Sequence, residues 1–193
     1  MRAFVAIDLP EDIRQSLADL QQQFAQSQAD ISWVRPDQLH LTLKFLDEVS
    51  DSQRAQVEAF LTQLATTTAP ITIGLHGVGA FPSSRDPRII WAGVGKGNAE
   101  LVALADAIEQ ESRAVGLKRE ERAFSAHITL GRLRSARGHQ AIATALQTMT
   151  WKASAPWLAS SLALYQSTLS SQGPTHTLLM TLPFRTETKV GGV

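Results

Sequence analysis

Two spacings of hydrophobic residues recur along the chain, and they predict buried strands alternating with amphipathic helices. Residues 3–9 are apolar except for Asp8, and a short apolar run of this kind is typical of a buried strand. Pro10 and two carboxylates follow, which favours the start of a helix. The next apolar residues then recur three or four positions apart, as on one helix face: Ile13, Leu17, Leu20 and Phe24. The chain is therefore predicted to begin with a strand and a helix that both face a core.

The same alternation continues towards the C-terminus. Further strands are predicted over residues 31–34, 39–46, 71–81, 88–94, 124–130, 161–169 and 175–182. Helices are predicted after a capping box at Ser50–Gln53, around residues 101–115 with Gly116 as terminator, and around residues 142–149. A turn at residues 170–174 would join the last two strands, and the polar tail after Phe184 is predicted to fray. Strand, helix and strand recur in each half without a long linker, so the pattern predicts one domain over residues 1–193. Its two similar lobes would be related by a pseudo-twofold axis.

One four-residue pattern, His-x-Thr-Leu, occurs at residues 40–43 and again at residues 127–130. Successive side chains of a strand point to opposite faces, so His40 and Thr42 share one face, as do His127 and Thr129. The aliphatic residues between them can be buried while the imidazole and the hydroxyl face a cleft. A single strand histidine is more often only a polar residue on a solvated face. Repetition of the whole motif instead favours a paired site with one imidazole on each side of a bound group.

Two imidazoles in one cleft are suited to concerted proton transfer. Their ordinary pKa lies near 6.5, so at neutral pH one can accept a proton from water while the other donates a proton to a leaving oxygen. Threonine hydroxyls can donate hydrogen bonds to the non-bridging oxygens at phosphorus. The sequence therefore predicts phosphodiester cleavage without a metal, with His40 and His127 as catalytic residues and Thr42 and Thr129 as substrate-binding residues.

Arg132 is a further substrate-binding candidate because it follows the second motif. Its guanidinium could bind a phosphate through two parallel hydrogen bonds. Strict strand alternation points Arg132 away from His127, so this role requires a bend or bulge near Gly131. The alternative is a surface arginine within the basic run that includes Arg134 and Arg137.

Composition and charge narrow the function classes. The chain has 18 Lys and Arg against 18 Asp and Glu, and it contains no cysteine. The charge is uneven, because residues 1–110 carry a net charge of −6 and residues 111–193 a net charge of +6. A neutral total argues against capture of duplex nucleic acid but permits a local phosphate site. The absence of cysteine excludes disulfides and thiolate catalysis. No signal peptide and no membrane span are apparent, so a soluble cytoplasmic protein is expected.

No cofactor is predicted. The glycine cluster at residues 74–79 is followed by Pro82 rather than by a helix, so it lacks the context of a dinucleotide-binding loop. The glycines at residues 93–97 lack both the spacing and the Ser or Thr of a Walker loop. A metal held by the two motif histidines would need further ligands, and the nearest carboxylates, Asp47 and Glu48, lie past the first motif. No metal site is therefore expected.

The remaining histidines and three aromatic residues are weaker candidates. His76, His139 and His176 lack a repeated partner motif, so each is expected to be solvated or satisfied by a neighbour. Aromatic residues that could stack on a base are expected to serve core packing instead: Trp33, Phe45 and Trp91.

With both motifs in view, the sequence resembles the two-histidine (2H) phosphoesterases. Within them it resembles the bacterial and archaeal RNA 2′,3′-cyclic phosphodiesterases, historically called 2′-5′ RNA ligases. The resemblance also covers residues 2–10, 39–49, 124–132 and 164–169, in the order usual for the family. It implies a bilobal α+β fold in which each lobe is an antiparallel sheet with outer helices. Both motifs would line the cleft between the lobes.

The resemblance also implies a reaction, which is hydrolysis of a terminal 2′,3′-cyclic phosphate to a 2′-phosphate. By analogy His40 would protonate the leaving 3′ oxygen, His127 would activate water, and the two threonines would bind phosphate. Joining of RNA ends through a 2′-5′ bond would be the reverse reaction. Asp47 stands where relatives usually have Gly, and Ala126 where many have Pro. Both flank the motifs, so they affect the expected loop geometry rather than the chemistry.

Two alternatives remain open at the level of sequence. One is a 2H phosphodiesterase that acts on another small phosphodiester, and the other is a nucleotide-binding module without turnover. The intact His and Thr pairs argue against the module, because binding alone does not require two proton-transfer groups. The expected partners are RNA ends or small nucleotides with a cyclic phosphate. No protein partner is expected, and the chain is expected to be a monomer.

Overall fold

The structure, a computed structural model, describes residues 1–151, 153, 155–170 and 173–186. The strands are β1 (Arg2–Asp8), β2 (Ile31–Trp33), β3 (His40–Glu48), β4 (Ile71–Pro82), β5 (Pro87–Lys96), β6 (His127–Leu133), β7 (Trp157–Ala159), β8 (Ser161–Ser170) and β9 (Gly173–Pro183). The helices are α1 (Glu11–Ala25), α2 (Asp51–Thr67), α3 (Asn98–Ala114) and α4 (His139–Thr148), with a short 3-10 helix at Pro36–Gln38.

The strands form two antiparallel sheets, which confirms the predicted α+β class. One sheet has the order β3-β1-β8-β9 and the other the order β2-β6-β5-β4-β7. The two motif strands, β3 and β6, lie in different sheets and contact each other. The halves of the chain do not map one to one onto the sheets, because β2 joins β6 and the hairpin β8–β9 joins β1. Hydrophobic spacing indicates that a strand has a buried face but does not identify its neighbour.

One continuous hydrophobic core joins the two sheets and the helices. Helix α1 buries the predicted face, and α2 begins with the predicted capping box between Ser50 and Gln53. Helix α3 ends at Ala114, and Gly116 follows with a φ of 78°, a left-handed conformation that favours glycine. The aliphatic residues of both motif strands therefore pack into the same core.

Some details differ from the predicted elements. Strand β6 begins at His127, three residues later than predicted, and β7 was not anticipated from the sequence. The centre of the predicted turn, Ser171 and Gln172, lies outside the described residues, as does the tail from residue 187. No helix within the described ranges is long and apolar enough to cross a membrane.

Candidate active site

Burial alternates along both motif strands as the motif predicts. Leu41 and Ile128 are fully buried, whereas the histidine and threonine of each motif are partly exposed. Strand β3 is an edge strand that pairs only with β1 in its sheet, and it contacts β6 of the other sheet. Each strand thus offers one imidazole and one hydroxyl from a face that the core does not cover.

A β-bulge interrupts β3 at the last residue of the motif. Thr42 lies opposite Ala6 of β1, but the next paired residue is Lys44, so Leu43 is an extra residue in the ladder. The extra residue reverses the alternation that follows. Phe45 consequently lies on the same face as Thr42.

Strand β6 has a bulge at the equivalent point. Thr129 lies opposite Trp91 of β5 and Gly131 opposite Ile90, so Leu130 is the extra residue. The carbonyl of Leu130 accepts hydrogen bonds of 2.9 Å from the Val34 N–H and 2.8 Å from the side-chain amide of the buried Gln21. These bonds tie the bulge to the main chain beside β2 and to α1.

The bulge in β6 determines the direction of Arg132. Arg132 lies opposite Ile89, which shares a face of β5 with Trp91, the residue opposite Thr129. Arg132 therefore lies on the motif face, and the bulge that this orientation requires is present. Phe45 and Arg132 each follow a motif histidine by five residues, and both line a cleft of about 540 Å³.

The two imidazoles are held in the same way. Nδ1 of His40 lies 2.7 Å from the carbonyl oxygen of Gln38, and Nδ1 of His127 lies 2.7 Å from that of Ser125. A carbonyl oxygen only accepts, so Nδ1 of each ring carries the donated hydrogen. The other ring nitrogen, Nε2, remains available to take up or release a proton.

The surroundings of His40 act on its pKa in both directions. Burial lowers the pKa of His40 below its ordinary value, and the nearby His176 imidazole lowers it further. The Gln38 carbonyl and the Asp8 carboxylate oppose this by stabilising the protonated ring. The hydroxyl of Tyr165 donates a hydrogen bond of 2.6 Å to Asp8 Oδ1. Burial and this bond raise the pKa of Tyr165, so the phenol remains a donor that orients Asp8.

His127 has a cation as its charged neighbour instead. Burial lowers the pKa of His127, and the Arg132 guanidinium lowers it further. The Ser125 carbonyl acts in the opposite direction. The Phe81 ring lies nearly at right angles to the imidazole, with ring centroids 5.0 Å apart. The two histidines therefore share their hydrogen-bond pattern but differ in the charge beside them.

His176, which was expected to be solvated or satisfied by a neighbour, is partly exposed and lies beside His40. Its ring centroid lies 5.4 Å from that of His40 and 4.8 Å from that of Phe4, edge-on in both cases. Its Nδ1 is buried without a hydrogen-bond partner in the described part of the chain. Phe4 in turn stacks on His40 with ring centroids 4.8 Å apart. The sequence missed this cluster because β8 and β9 approach β1 from a distant part of the chain.

Asp8 and Tyr165 were also missed as members of the site. The available signal was the interruption of the first apolar run by Asp8. Asp8 lies directly opposite His40 in the β1–β3 ladder. A carboxylate at the end of an otherwise apolar strand could therefore have been paired with the motif once the strand order was known.

The structure places the other weak candidates, two histidines and three aromatic residues, in different surroundings. His139 Nε2 lies 3.1 Å from Asp86 Oδ1, and His76 is exposed beside a separate cleft of about 290 Å³. Trp33 packs over Gly131, where a Cβ atom would come within 2.7 Å of its ring, and Trp91 packs beside Phe81 and His127. Core packing was wrongly expected for Phe45, whose side chain is 56% exposed.

The site offers few ligands for a metal. Within the residues that the structure describes, no group of three or more His, Cys, Asp or Glu side chains is arranged to hold a metal ion. The two contacting strands carry on their motif faces two imidazoles, two hydroxyls and a guanidinium. Such groups can transfer protons and bind the oxygens of a phosphodiester.

The chain is similar to known phosphoesterases along most of its length. The sequence profile of the family described as LigT like Phosphoesterase matches residues 7–91 and 94–176, so each matched segment contains one motif. The RNA 2′,3′-cyclic phosphodiesterase of Archaeoglobus fulgidus is 32% identical over 90% of this chain and 95% of that protein. The enzyme of the same name from Methanocaldococcus jannaschii is 31% identical over 93% of this chain and 98% of that protein.

Solved structures agree in fold. A protein of Thermus thermophilus superposes with a TM-score of 0.79 at 28% identity, covering 97% of this chain and 100% of that one. Escherichia coli LigT complexed with 3′-AMP superposes with a TM-score of 0.75 at 27% identity, covering 95% of this chain and 97% of that one. The architecture of two sheets with outer helices is therefore shared across the full length of these proteins.

Proposed function

Because the chain belongs to the LigT-like phosphoesterase family, we propose that it hydrolyses RNA ends with a 2′,3′-cyclic phosphate, leaving a 2′-phosphate. The relatives named above supply the substrate class. The proton-transfer and phosphate-binding groups come from five side chains: His40, His127, Thr42, Thr129 and Arg132. This set can act without a metal ion, since it includes an acid, a base and donors for the phosphate oxygens.

The assignment of general acid and general base rests on the charged groups beside the two imidazoles. Burial lowers the pKa of both rings, and His176 lowers that of His40 further, but the Asp8 carboxylate opposes this by stabilising the protonated ring, which distinguishes His40 as the general acid. A cation stabilises the neutral ring, so the Arg132 guanidinium favours His127 as the general base. Both rings direct Nε2 away from their carbonyl partners, as proton transfer to and from a substrate requires.

The proposed reaction is an in-line displacement at phosphorus. His127 Nε2 takes a proton from water as the water oxygen bonds to phosphorus, and the bond from phosphorus to the 3′ oxygen breaks. His40 Nε2 gives its proton to that oxygen, leaving a 3′-hydroxyl and a 2′-phosphate. Hydroxyls of Thr42 and Thr129 and the guanidinium of Arg132 donate to the non-bridging oxygens, where negative charge is spread in the transition state.

Ligation through a 2′-5′ bond would be the reverse of 2′-5′ bond cleavage rather than of hydrolysis, with a 5′-hydroxyl in the position of the water. The oxygen of this hydroxyl would bond to phosphorus, its proton would pass to His127, and the 3′ oxygen would again leave with the proton of His40. The product would be a 2′-5′ linkage between two RNA ends. Ligation therefore needs no group beyond those used in hydrolysis, and it competes with water for the same phosphorus.

The direct test is turnover of a short oligoribonucleotide that ends in a 2′,3′-cyclic phosphate, measured in excess EDTA. We expect conversion to a 2′-phosphate, identified by phosphorus NMR, at a rate that EDTA does not change. The matched control is His139→Asn, which removes an imidazole outside the cleft and should keep the wild-type rate. No product, a 3′-phosphate product or loss of turnover in EDTA would contradict the proposal.

A further inference from the structure

The cleft of about 540 Å³ lies beside the motif strands, and its lining includes Phe45 and Arg132 but neither imidazole. One wall is the end of β3 with Arg2, and the other is the loop at residues 118–122 between α3 and β6, here called the α3–β6 loop. Arg132 and Phe45 lie where this cleft meets the motif strands. Because Phe45 and Arg132 share the motif face and also line this cleft, the cleft adjoins the site where the motifs would hold the end of a polymer.

Positive charge predominates along this path. Five exposed cations line it, and none forms an ion pair with a carboxylate of the described residues: Arg2, Lys118, Arg119, Arg122 and Arg132. Three carboxylates share the same walls: Asp47, Glu120 and Glu121. One of these, Glu120, accepts a hydrogen bond from the Arg122 backbone N–H within the loop. Five cations against three carboxylates leave a net excess of two positive charges, which fits an anionic ligand.

The α3–β6 loop is anchored from beneath by a buried ion pair. Nζ of Lys44, whose side chain is only 3% exposed, lies 2.6 Å from Glu109 Oε2 and 3.3 Å from the Lys118 carbonyl oxygen. The Glu109 carboxylate also accepts a hydrogen bond from the Glu120 N–H. The backbone of the loop is therefore fixed, so less ordering is needed when its cations bind a ligand.

The lining of the same cleft includes one exposed aromatic residue, Phe45. The bulge in β3 places Phe45 on the exposed motif face, and Phe45 lines the same cleft as the cations. Cations that follow a phosphate backbone, combined with an aromatic face for a base, are the usual elements of a single-strand binding site. A duplex has no unstacked base to place on such a ring.

We propose that this cleft binds the phosphodiester backbone of the single RNA strand that precedes the cyclic phosphate. The enzyme then prefers oligonucleotide ends to cyclic mononucleotides. This inference rests on the proposed hydrolysis of cyclic phosphates. Each phosphate held by a cation adds affinity and steepens the dependence on salt, whereas a cyclic mononucleotide has only the phosphate that the motifs hold.

The test compares the double variant Arg119→Ala/Arg122→Ala with the wild type on two substrates. These are an oligoribonucleotide ending in a 2′,3′-cyclic phosphate and the corresponding cyclic mononucleotide. At low salt we expect the variant to lose about tenfold in kcat/KM on the oligonucleotide and to keep its rate on the mononucleotide. The slope of log kcat/KM against log salt should flatten by about 1.4 on the oligonucleotide, as for the loss of two single-strand phosphate contacts.

Two further variants control for charge and folding. Arg119→Lys/Arg122→Lys keeps the cations and should recover most of the oligonucleotide rate. Arg113→Ala/Arg185→Ala removes two exposed arginines outside the cleft and should match the wild type on both substrates. An unchanged oligonucleotide rate in Arg119→Ala/Arg122→Ala, or an equal loss on both substrates, would overturn the strand site while leaving the proposed hydrolysis intact. Failure of the wild type on both substrates would instead refute the proposed function.

Discussion

Individual side chains give the two motif histidines opposite electrostatic surroundings. Each ring donates through Nδ1 to the carbonyl two residues earlier in the chain, so the two rings have the same hydrogen bond to the backbone. The difference comes from the neighbouring residues, which bring a carboxylate to His40 and a guanidinium to His127. An acid and a base are thereby distinguished within one repeated motif.

We predict that removing these two charges moves the two imidazole pKa values in opposite directions. Asp8→Asn should lower the pKa of His40, because the protonated ring loses its carboxylate. Arg132→Gln should raise the pKa of His127, because the protonated ring is no longer repelled. Imidazole titration followed by NMR measures both values, with Arg134→Gln as the control. Shifts of the same sign in the two variants would contradict the assignment of acid and base.

The residue at position 47 is strained. Asp47 has a φ of 53°, a left-handed conformation that favours glycine, which is the residue the family resemblance leads one to expect there. Asp47→Gly should raise the free energy of unfolding by up to about 1 kcal/mol, since relief of strain exceeds the added freedom of the unfolded chain. Asp47→Ala is the comparison, because alanine keeps the strain. Urea denaturation measures the difference, and a glycine variant less stable than the wild type would refute this explanation.

At the scale of strands and helices, two bulges decide which residues reach the cleft. Alternation within His-x-Thr-Leu was predictable from the sequence, because polar and aliphatic residues simply alternate. The bulges were not, because the extra residues Leu43 and Leu130 are buried and look like any other core position. Phe45 and Arg132 depend on these bulges, so their orientation required the observed register.

The buried pair of Lys44 and Glu109 joins β3 to α3, and its two halves are unequally exposed. The Lys44 side chain is 3% exposed, whereas that of Glu109 is 23% exposed. Glu109→Ala leaves a buried ammonium without its carboxylate and should lower the free energy of unfolding by about 3–5 kcal/mol. Lys44→Met leaves only a carboxylate that water can reach and should cost about 1 kcal/mol. Chemical denaturation of both single variants and the double variant tests this order, which equal losses would contradict.

At the scale of the whole molecule, contacts between distant parts of the chain complete the site. The hairpin β8–β9 brings Tyr165 and His176 to strands β1 and β3, and Tyr165 lies 157 residues from its partner Asp8 in sequence. Local periodicity predicted most of the strands and helices, the motif repeat is visible in the sequence itself, and the family resemblance implied the two antiparallel sheets. It did not predict the neighbours of His40, because no local pattern indicates which strands pair.

The partly buried imidazoles should make stability depend on pH. Burial lowers the folded-state pKa values of His40, His127 and His176 below the ordinary value of about 6.5. Between those lowered values and about 6.5 the unfolded chain binds more protons, so the free energy of unfolding falls as pH falls. Urea denaturation at about pH 7.5 and about pH 5.5 measures the loss, which should be smaller in His40→Asn/His127→Asn. Greater stability of the wild type at the lower pH would contradict this expectation.

The central claim is that two imidazoles act as one acid–base pair on a cyclic phosphate. It is tested most directly by single-turnover rates on a cyclic-phosphate RNA end for His40→Ala, His127→Ala and the double variant. Each single variant should lose about 10²- to 10⁴-fold, and the double variant little more, because the two groups act in the same step. A folded single variant that keeps the wild-type rate would show that its imidazole takes no part in the reaction.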